Sequence, residues 1–282
     1  MRVGSYEVFA VEAERFRLDG GAMFGVVPRT IWEKTNPPDE KNRVRMTTRV
    51  MVIRGEGRLA IVDTGIGDKE GAKFREIYAV EATGGVVAAL AARGIDASDV
   101  TDVIPTHLHF DHGGGGTRRD GDRVVPAFPR ATYHIQRANL AQARHPNDRD
   151  RASFFPENFE PLVAAGVLRE HEPDAEILPG VFARVINGHT PGHQMIEVDA
   201  GATSAVFIGE ISPFTSHLPV PYVMGYDLLP VVTMEEKKRW LPQWAERGAV
   251  LVFDHDPNTA AARIALGPRG YYQVAERVTL GS

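Results

Sequence analysis

The sequence predicts an α/β protein in which two β-sheets carry helices on their outer faces. Two observations predict it. Runs of β-branched apolar residues are followed by helical stretches, and the same order then recurs further along the chain. Several of these runs also stop abruptly at a histidine or a carboxylate, as strands do when their tips build a site on a rigid sheet.

The elements follow in chain order. "TTRVMVIRG" and "GRLAIVDTG", separated by "GEG", read as a hairpin of buried strands over 49–53 and 58–62. Helices are expected around 73–78 and 86–93, the second stopped by Gly94. "DVTDVIPT" is a short strand leading into "HLHFDHGGGG". After a Gly/Pro-punctuated excursion come a strand over 132–135 and a helix over 136–144. "VFARVINGHTPGH", "QMIEVDA" and "SAVFIGE" give three more strands. Thr233 with Glu236 three residues on predicts a capped helix start, Pro242 predicts a kink or break in that helix, and Gly248 its end. "AVLVFDHDP" is a last buried strand that empties into a histidine. No linker divides the chain, so residues 1–282 are expected to form a single domain.

Bulk properties remove several classes of function. The net charge of −5 lacks the basic bias of a nucleic-acid surface. With no cysteine there is no disulfide, thiolate nucleophile or cysteine-type zinc site, so any metal must be held by nitrogen and oxygen. The first residues lack an uninterrupted apolar stretch, and no segment has the length of a membrane span; the expectation is a cytoplasmic protein with no membrane partner.

The histidines carry the chemistry. His107, His109 and His112 share one short loop with Asp111. In extended backbone, residues two apart point the same way, so His107 and His109 aim at one point, while Asp111 and His112 follow the turn and aim at a neighbouring one. The glycines after them let the backbone fold sharply. Partners come from later strand tips: His189 in "INGHTPGH", Glu210 in "VFIGE" and His255 in "LVFDH", each a polar residue directly after an apolar run. Asp63, Thr190 and His193 are candidates to hold these ligands from behind, because a metal-bound imidazole donates its other N–H to a carboxylate or carbonyl.

At these residues the chain resembles the metallo-β-lactamase-fold superfamily, in the order "IVDTG", "HLHFDH", "GHTPGH", "FIGE", "FDHDP". It looks most like the branch of lactonases and of aryl-ester and phosphotriester hydrolases. The resemblance implies an αββα sandwich of two mixed sheets with a dinuclear site on one edge. It implies that His107, His109 and His189 bind one metal and that Asp111, His112 and His255 bind the other. Glu210 stands where most relatives bridge the ions with an aspartate; its extra methylene moves the carboxylate by about 1.5 Å, and bridging is still the expectation. Acyl-homoserine-lactone lactonases place a tyrosine three residues after the bridging acid, where this chain has Pro213; Tyr222 or Tyr226 is the candidate replacement. Members of this branch are often homodimers through segments like 24–36, and a dimer is expected here.

Such a site predicts hydrolysis by metal-bound hydroxide, since divalent metal lowers the pKa of bound water toward roughly 7. Asp111 would shuttle a proton to the leaving group and Glu210 would hold the metals. Nitrogen and oxygen ligands suit two divalent ions, zinc first, with manganese, iron or cobalt as other candidates. The expected substrate is a small lactone or related ester, bound near Phe24, Phe214, Tyr222 and Tyr226. The alternatives are a phosphotriester or phosphoester hydrolase, and, in a different class, an iron-dependent redox protein or a non-catalytic metal-binding protein.

Overall fold

The computed structural model describes residues 1–81 and 83–281. The first half of the chain builds one mixed sheet from β1 (Arg2–Val3), β2 (Tyr6–Asp19), β3 (Arg43–Gly55), β4 (Arg58–Val62) and β5 (Asp102–Ile104), continued after a separate hairpin of β6 (Thr117–Asp120) and β7 (Arg123–Pro126) by β8 (Thr132–Gln136) and β9 (Leu168–His171). The second half builds another seven-stranded sheet in simple chain order from β10 (Ala175–Leu178), β11 (Val181–Val185), β12 (Gln194–Asp199), β13 (Ser204–Phe207), β14 (Val250–Val252), β15 (Ala261–Leu266) and β16 (Tyr272–Arg277).

Each sheet changes direction where a helix crosses over. β4 and β5 are parallel, and the chain between them forms the helices Ala72–Ile77 and Gly85–Ala91. β13 and β14 are parallel, and the chain between them forms the helix Pro230–Arg247. A parallel pair cannot be closed by a tight turn, so these crossovers are obligatory.

Alternation along the strands sets the layers. Met51, Ile53, Val62 and Ile104 from the first sheet meet Ile196, Val198, Phe207 and Val252 from the second in the core between the sheets. Their neighbours Val50, Val52, Ile61 and Val103 point outward, under Val86 and Leu90 of the helix Gly85–Ala91. On the far side Val206, Leu251 and Ile264 lie under Trp240, Leu241 and Trp244 of the helix Pro230–Arg247. The result is the αββα sandwich. Because β4, β5, β11, β13 and β14 run the same way, their carboxyl ends share one edge, where parallel strands leave a crevice.

Three details depart from the sequence reading. The helix expected to start at Thr233 starts at Pro230, with no side-chain cap at Leu229; the Thr233 hydroxyl instead donates to Asp227 at 2.6 Å. Pro242 does not break the helix, which runs on to Arg247 and ends with Gly248 in the left-handed conformation. The long strand β2 was not foreseen; its pairing with β3 shifts register between Glu12 and Glu14, which interrupts the simple alternation of faces. No helix among the described residues is long and apolar enough to cross a membrane.

Candidate metal centre

Seven side chains converge at this edge. The ligand atoms of His107, His109 and His189 form one group within 4.8 Å of one another, and those of Asp111, His112, Glu210 and His255 form a second. All seven are buried, Asp111 the least so at 8% exposed. His189 Nε2 lies 3.1 Å from His109 Nδ1, which joins members of the first group. In the second, Glu210 Oε1 lies 3.0 Å from His112 Nε2 and 2.7 Å from His255 Nε2. Asp111 Oδ2 lies 3.9 and 3.7 Å from the same two nitrogens.

The local backbone explains the placement. After β5 the chain turns at Pro105 and Thr106, presents His107 and His109, and enters a single helical turn, Phe110–Gly113, that carries Asp111 and His112. Gly114 and Gly115 are required because the backbone of Thr64–Ile66 packs directly where their Cβ atoms would be. They therefore make room for the neighbouring loop. Gly209, with φ of 56°, lies against the His193 ring, where a Cβ would clash. It sets the turn that delivers Glu210 from the tip of β13.

Outer hydrogen bonds fix how the imidazoles present themselves. Asp63, at the end of β4 with φ of 61°, accepts from Thr106 N at 2.6 Å and from His112 Nδ1 at 2.7 Å. His189 Nδ1 donates to Asp227 at 2.9 Å, and His255 Nδ1 to the Thr47 carbonyl at 2.8 Å. With Nδ1 committed outward, each of these rings turns an Nε2 lone pair inward, the tautomer a metal requires. His193 accepts from Glu210 N at 3.4 Å and packs edge-on to His107; the buried Thr190 hydroxyl has no partner among the described residues.

The electrostatics call for cations. Burial, together with His112 and the other imidazoles nearby, holds His107 well below the ordinary histidine range. Burial and His189 do the same for His109. Burial also opposes charge on His112 and His255, yet Asp111 and Asp63 lift the first well above its ordinary value, and Asp254 and Glu210 lift the second to about 9. For Glu210, burial is outweighed by His255 and His112, which hold the carboxyl well below its usual range. Protons on imidazoles are the charge these carboxylates attract without a metal; divalent ions would displace them.

The donor set fits such ions. His107 Nε2 and Glu210 Oε2 are buried with no hydrogen-bond partner among the described residues, an arrangement that is costly unless a ligand satisfies it. Nitrogen and carboxylate donors in two adjacent groups suit zinc, manganese, iron or cobalt.

The centre lies on a cleft of about 400 Å³, lined by His109, Asp111, His189 and Glu210 together with Leu18, Met23, Met46, Phe110, Met224 and Tyr226. Of the aromatic residues expected in the pocket, only Tyr226 lines it. Phe24 and Phe214 are fully buried, Phe24 stacked on Trp32, and Tyr222 faces a different cleft. Bulky apolar side chains gain most from complete burial, and these two took it. Sequence reading missed Tyr78 and Arg149 on the cleft wall, Asp227 behind His189, and Arg49. The Arg49 guanidinium donates to the Phe253 and Asp256 carbonyls on either side of His255. No local pattern marks Asp227 or Arg49, since His189 and the Phe253 and Asp256 carbonyls lie far from them in sequence.

Comparison with known proteins places this geometry. Residues 44–255 match the metallo-beta-lactamase superfamily. An N-acyl homoserine lactonase of Bacillus thuringiensis is 26% identical over 166 residues, covering 58% of each chain, so this chain spans about three-fifths of that relative's length. A probable metal-dependent hydrolase from Staphylococcus aureus has a TM-score of 0.89 at 28% identity, covering 99% of this chain and all of that one. The fold is shared with AidC, a dizinc quorum-quenching lactonase in complex with the product N-hexanoyl-L-homoserine, at a TM-score of 0.78 and 17% identity over 99% of this chain and 97% of that one. An αββα sandwich with its histidine and carboxylate cluster at the shared strand edge, matched over three-quarters of its length, makes this chain a member of the metallo-beta-lactamase superfamily.

Proposed function

We propose that the protein hydrolyses small lactones or related esters at a dinuclear centre, within one functional unit of residues 1–282. One observation carries the reading: two adjacent groups of buried ligand atoms open onto an apolar cleft. His107, His109 and His189 would hold one ion, and Asp111, His112 and His255 the other. Glu210 joins the second group through Oε1, and its other oxygen, without a partner among the described residues, would let it contribute to both ions. Zinc is the leading candidate for both positions. Bound divalent ions supply Lewis acidity and ionise water near neutral pH.

The chain's own residues do the rest. Asp111 faces the cleft and can hold or pass a proton to the leaving oxygen. Burial, with Tyr78 and nearby carboxylates, pushes the Tyr226 phenol up, so it stays protonated and can donate to a carbonyl oxygen. Burial and Asp111 raise Tyr78 in the same way. The apolar wall excludes water from the rest of the substrate and favours an alkyl or acyl arm. Among the described residues Arg149 is the one Lys or Arg on this wall, and its guanidinium is engaged by the Gly225 and Asp227 carbonyls. That favours a neutral ester over an anionic phosphodiester. Val26, at 91% exposed, and Ile31 leave apolar surface on the 24–36 segment, which supports a homodimer there.

The test is a panel of γ-lactones, aryl esters and phosphotriesters with zinc- or manganese-loaded protein. The reading expects lactone turnover that His109→Ala abolishes while the melting temperature stays close to that of wild type. Faster phosphotriester turnover, or full activity in His109→Ala, overturns it.

A further inference from the structure

We propose that Asp150 forms an acceptor subsite on the cleft wall, for a hydrogen-bond donor that the substrate carries on its acyl arm, away from the bond that is cleaved. The inference rests on the hydrolase reading of the cleft above and adds to it a criterion for the substrate.

Asp150 lines the same cleft as the metal cluster, yet it is only 5% exposed. Its two oxygens are in different situations. Oδ2 accepts from Gln142 Nε2 of the helix Arg137–Arg144 at 2.8 Å. Oδ1 is buried and has no hydrogen-bond partner among the described residues. The adjacent guanidinium does not serve it: Arg149 is held by the Gly225 and Asp227 carbonyls and makes no ion pair with Asp150 among the described residues.

The carboxyl group is also held in place. Asn147 Oδ1 accepts from Arg149 N at 2.8 Å and Asp150 N at 3.3 Å, and the Asp150 carbonyl accepts from Ser153 N at 2.9 Å. A buried acceptor fixed by its backbone and by one side-chain donor, with a second lone-pair direction unfilled, is costly to desolvate until a donor meets it. The other carboxylates on this cleft, Asp111 and Glu210, belong to the metal cluster, so Asp150 is the carboxylate left for recognition. A fixed, buried acceptor discriminates strongly, because a ligand lacking the matching donor leaves the group unpaired.

Two probes differ at a single position: N-hexanoyl homoserine lactone and the analogue in which an ester oxygen replaces its amide N–H. Ring opening of both is followed chromatographically with wild type, Asp150→Ala and Asp150→Leu; the leucine variant fills the side-chain volume in case the alanine variant collapses. In wild type the amide should exceed the ester analogue in kcat/KM. Both variants should lower the amide-to-ester ratio in kcat/KM by about tenfold or more. An unchanged ratio, with both rates falling together or neither falling, overturns the subsite. A separate arm measures calorimetric Kd for N-hexanoyl-L-homoserine on metal-loaded protein, where Asp150→Ala should weaken binding by a similar factor. If wild type opens neither lactone but binding of this compound still depends on Asp150, the hydrolase reading fails and the subsite stands. If binding ignores Asp150, the subsite fails whatever the turnover.

Discussion

Replacing Asp227 by asparagine should weaken the first metal position and leave the second almost untouched. Asp227 is 1% exposed, and its two oxygens are fully used. Oδ1 accepts from His189 Nδ1 at 2.9 Å and Oδ2 from Thr233 Oγ1 at 2.6 Å. The carboxylate fixes the His189 tautomer and raises the basicity of the nitrogen turned toward the cluster. Removing such a partner typically lowers metal affinity by about 10- to 100-fold, or about 1.4–2.7 kcal/mol. The size of the loss should depend on pH. Burial opposes charge on His189, but Asp227 together with Glu210 outweighs it and raises the ring above its ordinary value, so with Asp227 present protons compete with metal more strongly in wild type than in the variant. The deficit is therefore largest at high pH, where the ring is neutral in both proteins, and narrows as pH falls. Competition against a chromophoric chelator, run from pH 6 to pH 9 and fitted for two sites, measures it. Equal loss at both positions, or no loss at either, would refute the assignment of His189 to a separate first group.

Three further outcomes follow from the same geometry. Glu210→Gln removes the charge that sits 2.7 Å from His255, and metal retention in the second group should drop at least tenfold after gel filtration, as read by plasma emission; full retention of two ions would contradict the bridging role. Metal uptake should release protons, because His255 is held up to about 9 in metal-free protein and a ligand must be neutral. Apparent affinity should then rise with pH up to about 9, and pH-stat titration showing no release would oppose this. Arg49→Met leaves the Phe253 and Asp256 carbonyls without their donor, so urea unfolding should show a loss of about 2–5 kcal/mol with the His255 loop the first to exchange amide protons; wild-type stability would mean another group anchors that loop.

The sequence disclosed this protein unevenly, and the reason is the range over which each feature is determined. The cluster of His107, His109, Asp111 and His112 is local, so its spacing alone shows that the side chains can share a site. His189, Glu210 and His255 are single residues, legible because each follows an apolar strand, and the parallel order of β11, β13 and β14 brings those tips to one edge. Asp227 and Arg49 leave no comparable trace. One sits in an ordinary loop and the other reads as a strand residue, and both acquire meaning only when the sheets pack. Phe24 and Phe214 mislead for the opposite reason: an aromatic near a site in sequence is as available to the core as to the pocket, and burial decides. The threonine of the expected helix cap was misread in a similar way, since a tertiary partner, Asp227, claimed its hydroxyl.

The most direct test of the central claim is metal stoichiometry by plasma emission, on protein dialysed against zinc or manganese and then desalted. Two ions per chain are predicted for wild type, with one each for His109→Ala and His255→Ala. Protein that stays folded yet binds no more than a trace of either metal, or loses both ions together in each variant, would contradict two converging ligand groups.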